Sequence, residues 1–510
     1  MQRKIRRADL EEEEFSVGLA IYREPFGCRN TIFDKMIFLG PRRPVQKHTH
    51  PGSHPSQGGG NAWIFGFETM AMISQDISDR ILAAVEARLD AQIDFLSDLI
   101  RHPSLRGNET AVQEFVEAAL LARRYEVKRL PIDPALIGKH PAFSPATMDL
   151  SGSFNLIGSR NPRDTAGRSL ILNAHVDVVP AGDPARWQSP PFTPTRSGDW
   201  LYGRGSGDMK AGLSAAIFAL DAIDAAGFEL TAPVQIHSVI EEEITGNGAA
   251  MALADGHVAD AVLIPEPTDE KLVRANSGVI KFAITVQGIP AHPREISGGV
   301  SAIEAAIRLI DLLKGLEARW NAEQAERAFF KDVDNPAALT IGTISGGEWI
   351  ASVPSSCRFE GRIGFYPGDD PQSRAREFED FVAQAVAGDP LLSRGHAPSV
   401  EWVGVMHAGY VLAPGSEAEK ILAEAHRFAD SARQQPLESY VMACYLDAAV
   451  YSVHGGMPSL VYGPVTENIH AVDERVSLSS LLRTTKAIAL FTASWCGIRP
   501  KAVTAGAGAR

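Results

Sequence analysis

From about residue 73 the chain alternates apolar and polar positions with two distinct periods, and those periods predict its elements. Ile81, Val85, Leu89, Ile93, Leu96 and Ile100 recur every three or four residues, which predicts one amphipathic helix over 78–101. A second helix is predicted over 110–124 and a strand over 125–130, followed by a Pro-rich surface excursion over 131–146. Ser169 to Val179, SLILNAHVDVV, is a short apolar run bounded by polar residues and Pro180, the pattern of a strand buried on both faces. Two further buried strands, Val234 to Ile240 and Asp260 to Ile264, each run straight into acidic residues.

The rhythm changes over 281–401. KFAITVQG reads as a strand, SAIEAAIRLIDLLKGLEARW as a long helix, ALTIGTI and CRFEGRIGF as strands, SRAREFEDFVAQAVA as a helix and SVEWVGVM as a last strand. That order is a ferredoxin-like α+β unit. A helix over 416–428, an apolar segment near 441–451, a strand over 458–463 and a closing helix then resume the first pattern. The prediction is an α/β fold in which 73–280 and 402–500 form a mostly parallel sheet flanked by helices, with 281–401 inserted as a second domain.

Composition narrows the function classes. At 510 residues two domains are expected, and a net charge of −13 argues against nucleic acid or an anionic membrane as the main partner. The ferredoxin-like unit also occurs in RNA-binding modules, but no RNP-type aromatic signature accompanies it. There is no apolar run of transmembrane length. Cys28, Cys357, Cys444 and Cys496 are scattered, form no CxxC pair and suit a reducing, cytoplasmic setting. Residues 1–72 differ from the rest: a basic start, an acidic run from Glu11 to Glu14 and the cluster His48, His50 and His54 read as a disordered polar extension rather than a secretory signal. Met70 or Met72 would be a natural start, and 501–510, rich in Gly and Ala, read as a frayed tail.

Candidate chemistry concentrates at strand ends. The stretch LYGRGSGDMKAGLSAAIFAL, Leu201 to Leu220, is a glycine-rich loop feeding a buried helix, with Asp208 on the loop. A phosphate cradle is disfavoured, since the spacing is not GxGxxG and no Lys-Ser or Lys-Thr pair follows. Asp208 as a metal ligand needs partners elsewhere. His175 and Asp177 come at the end of the first buried strand. Glu241, Glu242 and Glu243 follow the second. A triple Glu is usually a solvated helix start, yet straight after a buried strand adjacent carboxylates repel unless a cation neutralises them. Glu266 follows the third strand and His470 lies near the end of the chain. Two imidazoles and three carboxylates suit two zinc-like ions sharing a bridging carboxylate.

With these motifs in order, NAHVDVVP (173–180), GRGSGDMKAG (203–212), EEEITGNG (241–248), PEP (265–267), GIPAHP (288–293) and NIHAVDERV (468–476), the chain resembles the co-catalytic zinc amidohydrolases and peptidases. That family includes acetylornithine deacetylase, succinyl-diaminopimelate desuccinylase, aminoacylase and carboxypeptidase G. The resemblance implies a zinc-exopeptidase-like catalytic domain with an inserted lid/dimerisation domain over 281–401. It implies His175 and Glu266 on one divalent ion, Glu243 and His470 on the other, and Asp208 bridging both, with Zn2+ expected and Co2+ or Mn2+ as alternatives. It also implies Asp177 accepting a hydrogen bond from His175, Glu242 as general base, and His292 stabilising the oxyanion in the neighbouring subunit's site of a homodimer.

The implied activity is metal-dependent deacylation (acetyl, formyl or succinyl) of a small N-acylated amine or amino acid, with a dipeptidase or carboxypeptidase on the same site as the alternative. A non-enzymatic binder on the same fold is the rival from another class. One departure bears on substrate. Where the family carries an Asn and an Arg that commonly hold a substrate carboxylate, this chain has Ala351 and Gly364. Either Arg362, two residues earlier on the same strand face, takes over, or the substrate lacks the usual α-carboxylate.

Overall fold

The computed structural model describes residues 73–501 apart from 163, 164, 431 and 433. The expectations for 1–72 and for 502–510 lie outside the described residues, while Lys501, the first residue of the expected frayed tail, is described and exposed. Ten strands are numbered in chain order: β1 Glu126–Pro131, β2 Phe154–Arg160, β3 Leu170–His175, β4 Val234–Val239, β5 Ala261–Ile264, β6 Gly278–Gln287, β7 Leu339–Gly346, β8 Ser356–Phe365, β9 Ser399–His407 and β10 Ser459–Val461. One six-stranded sheet runs β1-β2-β4-β3-β5-β10, parallel from β4 through β10 and antiparallel at the β1-β2-β4 edge. β3 is buried along its whole length, as a strand covered by helices on both faces must be.

The covering helices are apolar for the same reason. Ala211–Ala225 carries an almost wholly buried alanine-rich surface, and Leu478–Cys496 packs against it as well as against Glu417–Ala429 and Gln75–Glu86. The small side chains let backbones approach: a Cβ on Gly212 would fall 2.1 Å from the carbonyl oxygen of Pro265. That contact sets the helix against the turn that carries Glu266.

Two local expectations are corrected. The single helix predicted over 78–101 is two helices, Gln75–Glu86 and Leu89–Arg101, separated at Arg88 with φ −112 and ψ 2. The break turns the buried stripe, so that Leu89 is only partly covered whereas Gln92 is buried and donates to Thr485 Oγ1 at 2.9 Å. Tertiary hydrogen bonding here overrides a pattern that looks continuous. The excursion over 131–146 is not merely superficial either. Ile137, Ala142 and Ser144 are buried, and Asn247 satisfies the Ser144 backbone in both directions, at 3.0 and 2.9 Å. With its polar groups partnered the segment loses the reason to stay in water.

A second, wholly antiparallel sheet runs β7-β8-β6-β9, with helices Ala302–Asn321 and Pro371–Gly388 on one face. Its core, which includes Phe282, Phe359, Phe378, Leu309 and Trp320, is separate from that of the larger sheet. The strand and helix order is the one predicted, and the sheet extends slightly beyond the expected limits, from Gly278 to His407. Because neighbouring positions alternate faces, Ile280 and Phe282 enter that core while Val279 and Lys281 face the other way. Lys281 pairs with Arg362, and Arg362 with Thr340, so the three stand in a row on the helix-free face.

Candidate active site

Three adjacent parallel strands end at one edge of the larger sheet and deliver the site. β3 closes on His175, β4 leads through Ile240 to Glu241–Glu243, and β5 leads through Pro265 to Glu266. The carboxyl edge of parallel strands is where α/β folds build sites. Asp208 arrives on the glycine loop, whose turn needs Gly205 at φ 79. His470 arrives from the segment after β10, itself at φ 59.

Asp208 is common to two clusters. Its Oδ1 lies 3.1 Å from His175 Nε2, and Glu266 Oε1 lies 3.9 Å from the same nitrogen. Its Oδ2 lies 3.3 Å from His470 Nε2, and Glu243 Oε2 lies 3.1 Å from that nitrogen. Within each trio, His175–Asp208–Glu266 and Asp208–Glu243–His470, one potential donor atom per residue falls within 4.8 Å of the others. Glu242 stands beside them, Oε2 4.0 Å from His175 Nε2. A cleft of about 430 Å³ opens onto Asp208, Glu242, Glu243, Glu266 and His470.

The electrostatics follow from packing acids together away from water. Burial raises the Glu242 and Glu266 carboxyls well above the ordinary range; His175 opposes the shift and neighbouring acids add to it. Burial works against a charged His175, but the carboxylates of Asp177, Asp208 and Glu266 outweigh it and hold the imidazole well above its usual value. His470 is raised by Asp208 and Glu243. Asp208 is depressed in turn, since the two imidazoles outweigh its burial.

These residues fit divalent cations. Each trio offers one imidazole and two carboxylates, the mixed N and O set that borderline ions take. Glu266 Oε1 is buried without a hydrogen-bond partner among the described residues. An orphaned acid oxygen facing a histidine is costly unless a cation completes it.

His175 Nδ1 is closest to the Asp177 backbone oxygen at 3.0 Å, while the Asp177 carboxylate Oδ1 stands at 3.5 Å and its Oδ2 accepts from the Glu243 N–H at 3.1 Å. Asp177 thus links the two strand ends as well as the ring. His292 is exposed, caps the turn Pro293–Gly298 and does not line the cleft of its own chain. Arg362 does line it, donating from Nη2 to the Ala443 carbonyl at 3.2 Å. Glu241 turns away from the cleft, held by Arg106 at 2.5 and 2.8 Å and by Thr245. Of the triple Glu, two members face the cleft and one anchors the turn.

Other residues escaped the sequence. Glu474 is fully buried and accepts from the N–H groups of Gly205, Gly207 and Asp208 at 3.0, 2.9 and 3.0 Å and from Arg204 Nη1 at 2.6 Å. It holds the loop that presents Asp208. Its position inside NIHAVDERV, four residues after His470, was the available signal, but the glycine loop it serves lies far away in sequence. Asp447 accepts from Asn173 Nδ2 at 3.1 Å and Tyr445 OH at 3.0 Å beneath the cleft, and burial raises its carboxyl to about 6. Lys281 reaches across from β6 to donate to the Glu243 carbonyl at 2.6 Å.

Replacing Glu474 by Leu strands the buried Arg204 charge and three N–H groups, so unfolding free energy should fall by about 3–5 kcal/mol, read by chemical denaturation. The Arg204→Met, Glu474→Leu double variant should recover part of that loss. A fall below about 1 kcal/mol in the single variant would show that the loop does not depend on this carboxylate.

A family model described as Peptidase family M20/M25/M40 matches residues 171–494. The chain is 28% identical over 353 residues to N-formyl-4-amino-5-aminomethyl-2-methylpyrimidine deformylase of Halalkalibacterium halodurans, covering 65% of this chain and 80% of that protein. It is 28% identical over 402 residues to succinyl-diaminopimelate desuccinylase of Dinoroseobacter shibae, covering 76% of this chain and 94% of that one. Among solved structures it is similar to the di-peptidase Dug1p of Saccharomyces cerevisiae, with a TM-score of 0.67 and 14% identity over 82% of this chain and 98% of that chain, a likeness of fold. Since the family model spans more than half of the sequence, from β3 into the closing helix, the chain belongs to peptidase family M20/M25/M40.

Proposed function

We propose that this protein is a metal-dependent amidohydrolase that removes an acyl group, formyl, acetyl or succinyl, from a small N-acylated amine, cleaving a linear amide C–N bond. The observation that carries the reading is the pair of donor trios sharing Asp208, with Glu242 beside them at the cleft. The deformylase and desuccinylase among its relatives support the deacylase over the dipeptidase reading of the same site.

In this reading His175 and Glu266 would hold one divalent ion and Glu243 and His470 the second, with a carboxylate oxygen of Asp208 available to each, and Zn2+ is the proposed metal. When bound, such ions polarise the acyl oxygen and acidify a water. Glu242 takes a proton from the attacking water on its carboxylate and passes it to the leaving nitrogen. Burial among acids favours the proton-accepting direction, because an acid whose pKa is raised keeps a transferred proton until the nitrogen needs it. Asp177 positions His175 through its backbone oxygen and the Glu243 N–H through its carboxylate.

Residues 281–401 are proposed as the lid and dimerisation domain. Trp349, Ile350, Ile344 and Ile307 are 69%, 98%, 50% and 57% exposed, an apolar set on the outer edge of β7 and on its neighbouring helix and loop that a second copy would cover. An exposed His292 outside its own chain's cleft fits a role in the partner's site. No described helix is long and apolar enough to cross a membrane, and the free thiols of Cys357, Cys444 and Cys496 suit a cytoplasmic setting.

Protein stripped with chelator and refilled with zinc or cobalt should hydrolyse members of a panel of N-formyl, N-acetyl and N-succinyl amines faster than dipeptides. Glu242→Gln should lower turnover about 10²–10⁴-fold while metal content, read by elemental analysis, is unchanged. Turnover of nothing in the panel with metal bound would defeat the reading, and faster dipeptide cleavage would convert it to a peptidase. For His292, mixed dimers of His292→Ala and Glu242→Gln subunits should regain part of the activity that each homodimer lacks. No recovery after subunit exchange would place His292 outside the partner's chemistry.

A further inference from the structure

We infer that Arg106 and Glu241 are positioning residues for the proposed general base: their ion pair holds the turn after β4 in the conformation that aims Glu242 at the cleft. The inference rests on the reading of Glu242 given above for the chemistry and on separate observations for the positioning. Among the described residues no hydrogen bond holds the Glu242 carboxylate, and the only cationic side chain within 4.0 Å of it is His175. A base held so loosely by its own contacts takes its direction from its backbone.

That backbone is fixed on both sides of Glu242. The Ile240 N–H donates to Asn155 Oδ1 at 3.1 Å and the Glu243 N–H to Asp177 Oδ2 at 3.1 Å. The Glu243 carbonyl accepts from Lys281 Nζ at 2.6 Å, and the Ile244 carbonyl from the Val405 N–H at 2.8 Å. Between the strand and the pinned Glu243 the chain changes direction at Glu241, whose φ is 68. A residue that carries a Cβ resists this left-handed conformation, so surrounding contacts must hold it there.

Arg106 supplies the strongest of those contacts. Its Nε and Nη2 close a fork on Glu241 Oε1 and Oε2 at 2.5 and 2.8 Å, and Thr245 Oγ1 donates to Oε2 at 2.8 Å. The Glu241 carbonyl accepts from the N–H groups of Thr245 and Gly246 at 3.0 and 2.7 Å, which closes the turn. Glu241 is fully buried, so its charge depends on the guanidinium and the fork fixes its orientation as well as its place. Arg106 is itself anchored to the other half of the site. Ser104 Oγ donates to the Val176 carbonyl at 2.6 Å, and the Ser104 carbonyl accepts from the Val178 N–H at 2.9 Å. The segment that carries Arg106 is thereby tied to the stretch that carries His175 and Asp177, and the fork sets the Glu242 turn against it. Arg106 does not line the cleft, so its effect on the reaction passes through Glu242.

On the metal-loaded enzyme, with the substrate of the panel above that is turned over fastest, Arg106→Met should lower kcat about 10–100-fold with KM and metal content little changed. Arg106→Lys, which keeps the charge without the fork, should fall between it and the wild type. Glu241→Gln keeps the side-chain volume and an acceptor for Arg106, and it carries the same comparison if Arg106→Met does not fold by circular dichroism. In a Glu242→Gln background Arg106→Met should cost no further turnover, because the residue it positions is already disabled. The same fold-loss in both backgrounds, or wild-type kcat in both Arg106→Met and Glu241→Gln, would overturn the inference and leave the deacylase reading in place. Crystal structures of the metal-loaded wild type and variant decide the positioning without any turnover. The variant should show Glu241 out of the left-handed region and the Glu242 carboxylate displaced by about 1 Å or more. A Glu242 that stays in place overturns the inference, whereas a panel with no turnover defeats the deacylase reading alone.

Discussion

Asp208 turns one carboxylate oxygen to each of two imidazoles, 3.1 Å from His175 and 3.3 Å from His470. A single short side chain can span two such partners only if its backbone is fixed, and most of the surrounding architecture serves that end. Glu474 gathers the N–H groups of Gly205, Gly207 and Asp208 on one carboxylate. Arg204 offsets the charge so spent, and Lys210, from the far end of the loop, ties it to the carbonyls of Leu99 and His102 at 3.0 and 2.8 Å. Around Asp208 the ends of β4 and β5 bring Glu242, Glu243 and Glu266 close enough to repel one another. A fold that concentrates buried acid in this way gives up stability at the site unless cations restore it.

Much of this was legible in the sequence because the site lies at places that sequence marks strongly. Buried parallel strands read as short apolar runs, and His175, Glu243 and Glu266 each come within four residues of such a run's end. Asp208 was marked by its glycines. The βαββαβ order of the second sheet was equally plain, since its helices and strands differ in period. What was not legible depends on contacts distant along the chain. The division of the first helix at Arg88 follows from where Gln92 finds Thr485, and the burial of 137–144 follows from Asn247. The parting of Glu241 from Glu242 and Glu243 requires knowing that Arg106 waits on the other side. Glu474 and Asp447 act through partners more than 250 residues away, which no local pattern discloses.

The second sheet adds a different kind of information. Its helix-covered face is an ordinary apolar core, but its free face sets Lys281, Arg362 and Thr340 opposite the acid cluster of the larger sheet. The positive row and the negative cluster are complementary without touching, save where Lys281 meets the Glu243 carbonyl.

The claim on which the rest stands is that Asp208 is shared by two cations, and metal stoichiometry tests it most directly. Titration of chelator-stripped protein with zinc, followed by elemental analysis after gel filtration, should find two ions per chain in the wild type and neither held tightly in Asp208→Ala. His470→Ala should retain one. Two tightly bound ions in Asp208→Ala would contradict the account.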